Sequence, residues 1–282
     1  MRTATIAALN VYPIKGCRGV PVERAEVTER GLAAGTAGDR EWMIVDASGR
    51  FVSQREHPRL ALVRVACNAR ALQLTAPGMP SLDVEAVDAD GSPRRDVVVW
   101  HSTVAAIDAG ERAAQWFCAY LETTARLVRF APEHVRACNP QYVGASGAHT
   151  AFADGYPLLV IGQASLDDLN ARLAAKGSRT LPMNRFRPNV VIAGLEPFDE
   201  DHIDTIAIDG VTLKLVKPCT RCRVTTTDQD SAAVGDEPLA TLASYRMDER
   251  YDGVTFGMNA IVTAGASRSL QIGAKATIDY RF

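Results

Sequence analysis

Histidine is scarce in this sequence, aromatic residues make up 6% of it, and no apolar run is long enough to cross a bilayer. The five histidines, His57, His101, His134, His149 and His202, form no ligand-spaced pair, so two cysteines find no partners for a four-ligand zinc site. Charge of one sign is also lacking. The formal net charge of −2 offers no global attraction for nucleic acid or anionic lipid, so neither is expected as a partner. The opening MRTATIAALNVYPIKG holds a short apolar run broken by Asn10, with no small-residue cleavage site behind it, and reads as a first strand. No internal repeat and no low-complexity tract interrupts the chain. What remains is ordinary globular composition, 47% hydrophobic and 23% charged over 282 residues, enough for one large domain or two medium ones.

Valine, leucine and isoleucine cluster in short runs divided by glycine, proline or Asp-Gly, which predicts a mainly β protein of the α+β class with a few helices. Strands are predicted over Ala4–Tyr12, Glu41–Asp46, Leu60–Asn68, Ala71–Thr75, Ser81–Ala86, Val97–Trp100 and Ala125–Phe130. In the second half they fall at Pro157–Ile161, Asn189–Ala193, Thr205–Asp209, Val211–Lys217, Ala260–Thr263 and Lys275–Tyr280, with a hairpin turn at Asp209-Gly210. Helical period appears from Glu111 to Leu121 and again from a serine cap at Ser165 to Gly177; a shorter helix is expected from Pro238. Between 131 and 149 the pattern fades into APEHVRACNPQYVGASGAH, read as a crossing between domains or a functional loop.

Cys17, Cys67, Cys118 and Cys138 sit among apolar neighbours as small hydrophobes do. With no export signal, reduced thiols and a cytoplasmic setting are expected. Cys219 and Cys222, in VKPCTRCRVTTTD, stand three apart. A thioredoxin-like pair would open a helix, whereas RVTTTD is β-branched and reads as extended. Two buried thiols in a turn remain the plain alternative. Lys217, Arg221 and Arg223 place positive charge nearby, and cations favour thiolate. A thiolate without zinc partners suits a metal that arrives carrying most of its own ligands.

VKPCTRCRVTTTD resembles the signature of MOSC-domain proteins, named for the C-terminal domain of molybdenum-cofactor sulfurase. VYPIKGCRGV, GDREWMIVD, FADGYPLLVIGQASLDDLN, MNRFRPNVVIAG and TFGMNAIV follow in that family's order, so the resemblance runs from Tyr12 to Asn259. It is similar in particular to amidoxime-reducing components and to bacterial reductases of N-hydroxylated base analogues. The resemblance implies an N-terminal β-barrel domain over 1–130, a connecting segment over 131–149 and a MOSC β-barrel over 150–282, with the molybdenum cofactor, Mo-molybdopterin, between the barrels. It makes Cys222 the metal ligand and catalytic thiolate, and Cys219 a neighbour.

The same resemblance places cofactor contacts at Lys15, Gly16, Arg40, Asp154, Gly155, Tyr156, Arg187, Asn189, Thr220, Arg221 and Asn259. These residue types suit a flat polar ligand with a phosphate: cations for charge, amides and hydroxyls for its edges. Proline after Arg187 predicts an extended backbone there. At Gly16 the family more often has serine, and at Arg223 an apolar residue. The activity implied is reduction of small N-hydroxylated compounds. No cysteine follows Cys222, so no iron–sulfur ligands are expected and electrons should come from a separate ferredoxin, cytochrome or flavoprotein. A cofactor carrier or a persulfide-bearing sulfur carrier would use the same pocket.

Overall fold

The computed structural model describes residues 4–67, 71–85 and 94–281. Asn68 and Ala86, the expected ends of two strands, lie outside them. Seven strands close into a barrel in the order Leu158–Gly162, Val190–Ala193, Ala4–Val11, Lys275–Tyr280, Ile203–Ile208, Val211–Thr220 and Gly253–Ala264, the last returning to the first. Ile6, Leu9, Val27, Val160, Ile192, Ile206, Leu213 and Leu215 fill its interior, the alternation of a strand with one face on a core. Gly257, at φ +76°, closes the seam: a Cβ there would lie 2.6 Å from Ile161 Cγ1 and 3.0 Å from Val160 O. The Asp209-Gly210 hairpin forms as expected, with Ile208 opposite Val211 and both turn residues at positive φ.

The opening strand thus belongs to the barrel of the second half, paired with Val190–Ala193 on one side and Lys275–Tyr280 on the other. Ser269–Gln271 crosses the other way, onto Arg24–Thr28. The first half builds a four-stranded sheet, Arg94–Val99, Ser102–Asp108, Arg126–Phe130 and Trp42–Val45, and a three-stranded one from Arg64–Cys67, Ala71–Thr75 and Leu82–Glu85. Helix Glu111–Leu121 has the bounds its periodicity predicts and buries Trp116, Phe117, Tyr120 and Leu121 against Trp42, Ile44, Leu60 and Leu74. Full burial of Phe117 alone contributes roughly 2–3 kcal/mol.

Several local expectations need correction. Leu60 lies in a 3-10 turn, Pro58–Leu62, and the strand starts at Arg64 because Pro58 sets a helical first turn. Helix Gln163–Ala175 begins before Ser165, and Ser165 does not cap it. The buried Glu200 does so from another segment, accepting the Gly162 N–H at 3.0 Å and the Ser165 hydroxyl at 2.7 Å. Ala260–Thr263 proves to be the tail of a twelve-residue strand, Gly253–Ala264. RVTTTD is not extended: Arg223–Thr226 is a 3-10 turn whose Thr225 donates N–H and hydroxyl to the Cys222 carbonyl at 3.1 and 2.9 Å. The 131–149 segment holds a two-strand ladder, Arg136–Ala137 with His149–Thr150, and a short helix, Pro140–Val143. No helix among the described residues is long and apolar enough to cross a membrane.

Candidate active site

Strand Val211–Thr220 ends at the cysteine pair, and the loop after Ala4–Val11 and the segments leading into Leu158–Gly162 and Val190–Ala193 converge there. All twelve residues named from the sequence line one cleft, from Lys15 and Gly16 on the first loop to Asn259 on the last long strand. Together with the open solvent at its mouth, the cleft spans about 950 Å³. Its lining carries five cations, Lys15, Arg40, Arg55, Arg187 and Arg221, against one carboxylate, Asp154. That excess favours an anionic ligand.

The floor is a charge network around Tyr12. The Arg40 and Arg187 guanidinium carbons lie 4.3 and 4.4 Å from the Tyr12 ring centroid, so both cations contact one phenol. Burial pushes the Tyr12 hydroxyl up to about 12 despite both guanidinium groups, so it stays neutral and donates to Pro188 O at 3.2 Å. Asp39, fully buried, accepts the Tyr12 N–H at 2.8 Å, the Asn189 amide at 2.8 Å and Arg40 at 2.5 Å. Asn189 also donates to Asn10 O and accepts from Arg40 and the Leu159 N–H. Its carboxamide is therefore fully engaged within the protein. Its part in the cleft is to orient Arg40, not to offer free donors to a ligand.

One backbone expectation is overturned on this floor. Arg40, just before the expected strand, turns the chain at φ +48° between Ala37–Gly38 and Trp42–Val45. Arg187 is left-handed at φ +58° rather than extended, held by its side chain donating to Cys17 O at 2.6 Å and resting on Tyr12. Such a conformation costs a β-carbon residue about 1–2 kcal/mol, which the surrounding contacts offset. Burial, opposed by Tyr12 and aided by Arg40, pulls the Arg187 guanidinium down to about 10, still charged at neutral pH. Arg187 forms no ion pair of its own among the described residues. A desolvated cation without a carboxylate is a standing anion site.

One wall comes from the 151–156 loop. Arg136, buried, donates to the carbonyls of Ala151, Ala153 and Asp154 at 3.0, 2.6 and 3.0 Å and fixes that loop. Lys15 Nζ donates to Phe152 O at 2.9 Å and pairs with Asp154 at 2.5 Å, while Trp100 Nε1 donates to the same carboxylate at 2.9 Å. Desolvation opposes ionisation of Asp154, but Lys15 and Trp100 outweigh it and hold the carboxyl well below the ordinary range. Gly155 adjoins the opening, and a Cβ built on it would meet no atom within 4 Å. Burial pushes the Tyr156 hydroxyl well above its usual range, so it too is a neutral donor.

The opposite wall carries the thiols. Cys222 is exposed on the cleft, its thiol with no hydrogen-bond partner among the described residues, and Thr220 is exposed beside it. Cys219 is half-buried and accepts from Arg221 at 2.9 Å; Arg221 also donates to Phe186 O at 2.6 Å. Of the three cations expected beside the thiols, Arg221 alone lines the cleft. Lys217 sits over the rings of Tyr142 and Tyr251 at 4.9 and 5.2 Å, and Arg223 is exposed. Asn259 donates to Lys217 O at 3.2 Å, which leaves its side-chain oxygen toward a ligand's donors. Among the described residues no three histidine, cysteine or carboxylate groups gather into a metal cluster.

Residues that sequence reasoning missed are Phe51, Gln54, Arg55, Trp100 and Phe186. Gln54 ties Gly16 O to the loop after the cysteines through a buried reciprocal amide pair with Gln229. No local pattern marks these positions. The one available signal is a tryptophan at the tip of an expected strand, where packing alone does not call for it.

A cation-rich cleft beside a closed seven-stranded barrel, with a bare thiol on its wall, has its counterpart in a known family. Residues 3–124 match the MOSC N-terminal beta barrel domain and residues 147–276 the MOSC domain, and the chain belongs to that family. The MOSC domain is associated with molybdenum-cofactor binding. The chain is 37% identical to mitochondrial amidoxime reducing component 2 of Bos taurus over 250 residues, 87% of this chain and 73% of that protein. It is 35% identical to mitochondrial amidoxime-reducing component 1 of Homo sapiens over 265 residues, 92% of this chain and 77% of that one.

Proposed function

We propose that this protein reduces amidoximes, hydroxylamines and N-hydroxylated bases to amidines or amines, holding a molybdenum cofactor at Cys222 and drawing electrons from a separate carrier protein. The observation that carries the proposal is the exposed, unpartnered thiol of Cys222 on a cleft where cations outnumber carboxylates five to one. When bound, the cofactor supplies two-electron redox chemistry at a metal. The net reaction consumes two electrons and two protons and releases the N–O oxygen as water.

The chain's own residues fit such a group. Arg187, with Arg40 beside it, offers charge to the cofactor's anionic part; Asn259 accepts from its edge; the space above Gly155 leaves room for a flat ring system. Thr220 and Tyr156 add hydroxyl donors. Asp154, the cleft's one carboxyl, is held ionised, and Lys15 is tied to it, so protons come through water at the open rim. A 1–130, 131–149, 150–282 division, with Ala4–Val11 lent to the second barrel, and a cytoplasmic setting belong to the same reading.

The test is a dye-linked reductase assay with benzamidoxime on protein whose molybdenum has been quantified. Turnover in proportion to metal is expected; bound molybdenum with no N-reduction would make the protein a carrier. Arg187→Ala should lower molybdenum occupancy while shifting unfolding free energy by no more than about 1 kcal/mol, since it removes an unpaired buried cation. Full occupancy with a large fall in melting temperature would assign Arg187 to structure instead.

A further inference from the structure

The rim of the cleft carries side chains that the cofactor reading leaves unused. Trp100 and His101 form the two-residue turn between Arg94–Val99 and Ser102–Asp108. Trp100 sits there at φ +57°, a left-handed conformation that a bulky residue rarely adopts. The residue is 40% exposed yet its ring is held in place, by the 2.9 Å hydrogen bond from Nε1 to Asp154 and by Phe51 at 5.1 Å, tilted 54°. Packing does not explain an oriented, open indole on a strained turn.

Beside it, the Arg55 guanidinium lies 4.8 Å from the indole centroid. Its hydrogen bond to Ser53 Oγ is long, at 3.4 Å, and among the described residues it forms no ion pair. Lys15, on the same cleft, is already committed to Asp154. The rim therefore pairs one flat aromatic face with one uncommitted planar cation, on the same cleft as Cys222. Arg40, Arg187 and Asn189 are drawn into the floor's network, whereas Trp100 and Arg55 stay open to solvent, as contacts for a ligand that comes and goes must be.

Resting on the reductase reading, we propose that Trp100 and Arg55 select the substrate, and that its class is a planar N-hydroxylated heterocycle bearing a phosphate. The ring stacks on the indole, a contact tolerant of which base is presented. The phosphate meets the guanidinium fork, whose geometry matches its oxygens.

The experiment measures dissociation constants of N-hydroxyadenosine monophosphate and of N-hydroxyadenosine on molybdenum-loaded protein by calorimetry, with metal content determined for every variant. Wild-type protein should hold the nucleotide about tenfold tighter than the nucleoside, and Arg55→Gln should erase that difference. Trp100→Ala should weaken both ligands about tenfold, and Trp100→Phe should restore most of the loss. Equal affinities for the two ligands in wild-type protein would overturn the proposal, as would unchanged binding in Trp100→Ala. Loss of molybdenum in step with loss of affinity would also overturn it, by assigning the rim to the cofactor. Binding in the expected pattern without turnover would sink the reductase reading alone, and turnover without the pattern would sink this one alone.

Discussion

Cys222→Ser should strip the purified protein of molybdenum and lower N-reduction by more than about 100-fold, since even outer partners of metal ligands cost roughly 10- to 100-fold. Cys219→Ser should retain most of both. The two thiols differ in what surrounds them. Cys222 is exposed on the cleft and free of partners among the described residues, and its backbone is anchored by Thr225. Cys219 packs against the cluster of Phe186, Leu242 and Phe256, and its sulfur already accepts from Arg221. A serine hydroxyl can keep that second hydrogen bond but cannot replace a thiolate toward a soft metal. Elemental analysis and the dye-linked assay on both variants decide the matter. Equal losses would mean that both thiols serve the metal, and a larger loss in Cys219→Ser would make Cys219 the ligand.

Asp39→Ala should lower stability by about 3–5 kcal/mol, because it removes one partner of a buried ion pair. For a chain of this size that corresponds to a drop in melting temperature on the order of 10 °C. The carboxylate is wholly buried, and three donors converge on it: Arg40, the Tyr12 N–H and the Asn189 amide. Without it, Arg40 and Arg187 share Tyr12 with no negative charge between them, and two buried donors lose their acceptor. Molybdenum occupancy should fall with it, since the orientation of Arg40 depends on this carboxylate. Asp39→Asn keeps an acceptor oxygen and should be milder in stability. A melting temperature unmoved in Asp39→Ala would show that water or Asn189 can take over the role.

Much of the fold is legible in short apolar runs and turn residues. Lys275–Tyr280, Ala71–Thr75 and Glu111–Leu121 have the bounds their patterns imply, because burial on one face writes a period into the sequence. Strands of two or three residues, such as Ala37–Gly38 and Ser269–Gln271, are too short to show a period and are set by long-range pairing. The cap on helix Gln163–Ala175 escapes sequence reasoning for the same reason, since Glu200 comes from 35 residues beyond Ser165. Arg187 shows a rule overruled. A proline disfavours the right-handed region for its predecessor, but the left-handed alternative wins once Cys17 O and Tyr12 hold the guanidinium. In the cleft, residues inside the family's motifs are found together, whereas Trp100 and Arg55 fall between motifs and declare themselves through geometry alone.

The seam between Ala4–Val11 and Lys275–Tyr280 also bears on biosynthesis. On the ribosome the first of these strands emerges long before its neighbour exists, and one of its edges stays unsatisfied until residue 280 has been made. A nascent β edge left waiting that long invites pairing with the wrong chain. Folding of this barrel should therefore lean on chaperones until Lys275–Tyr280 has been made.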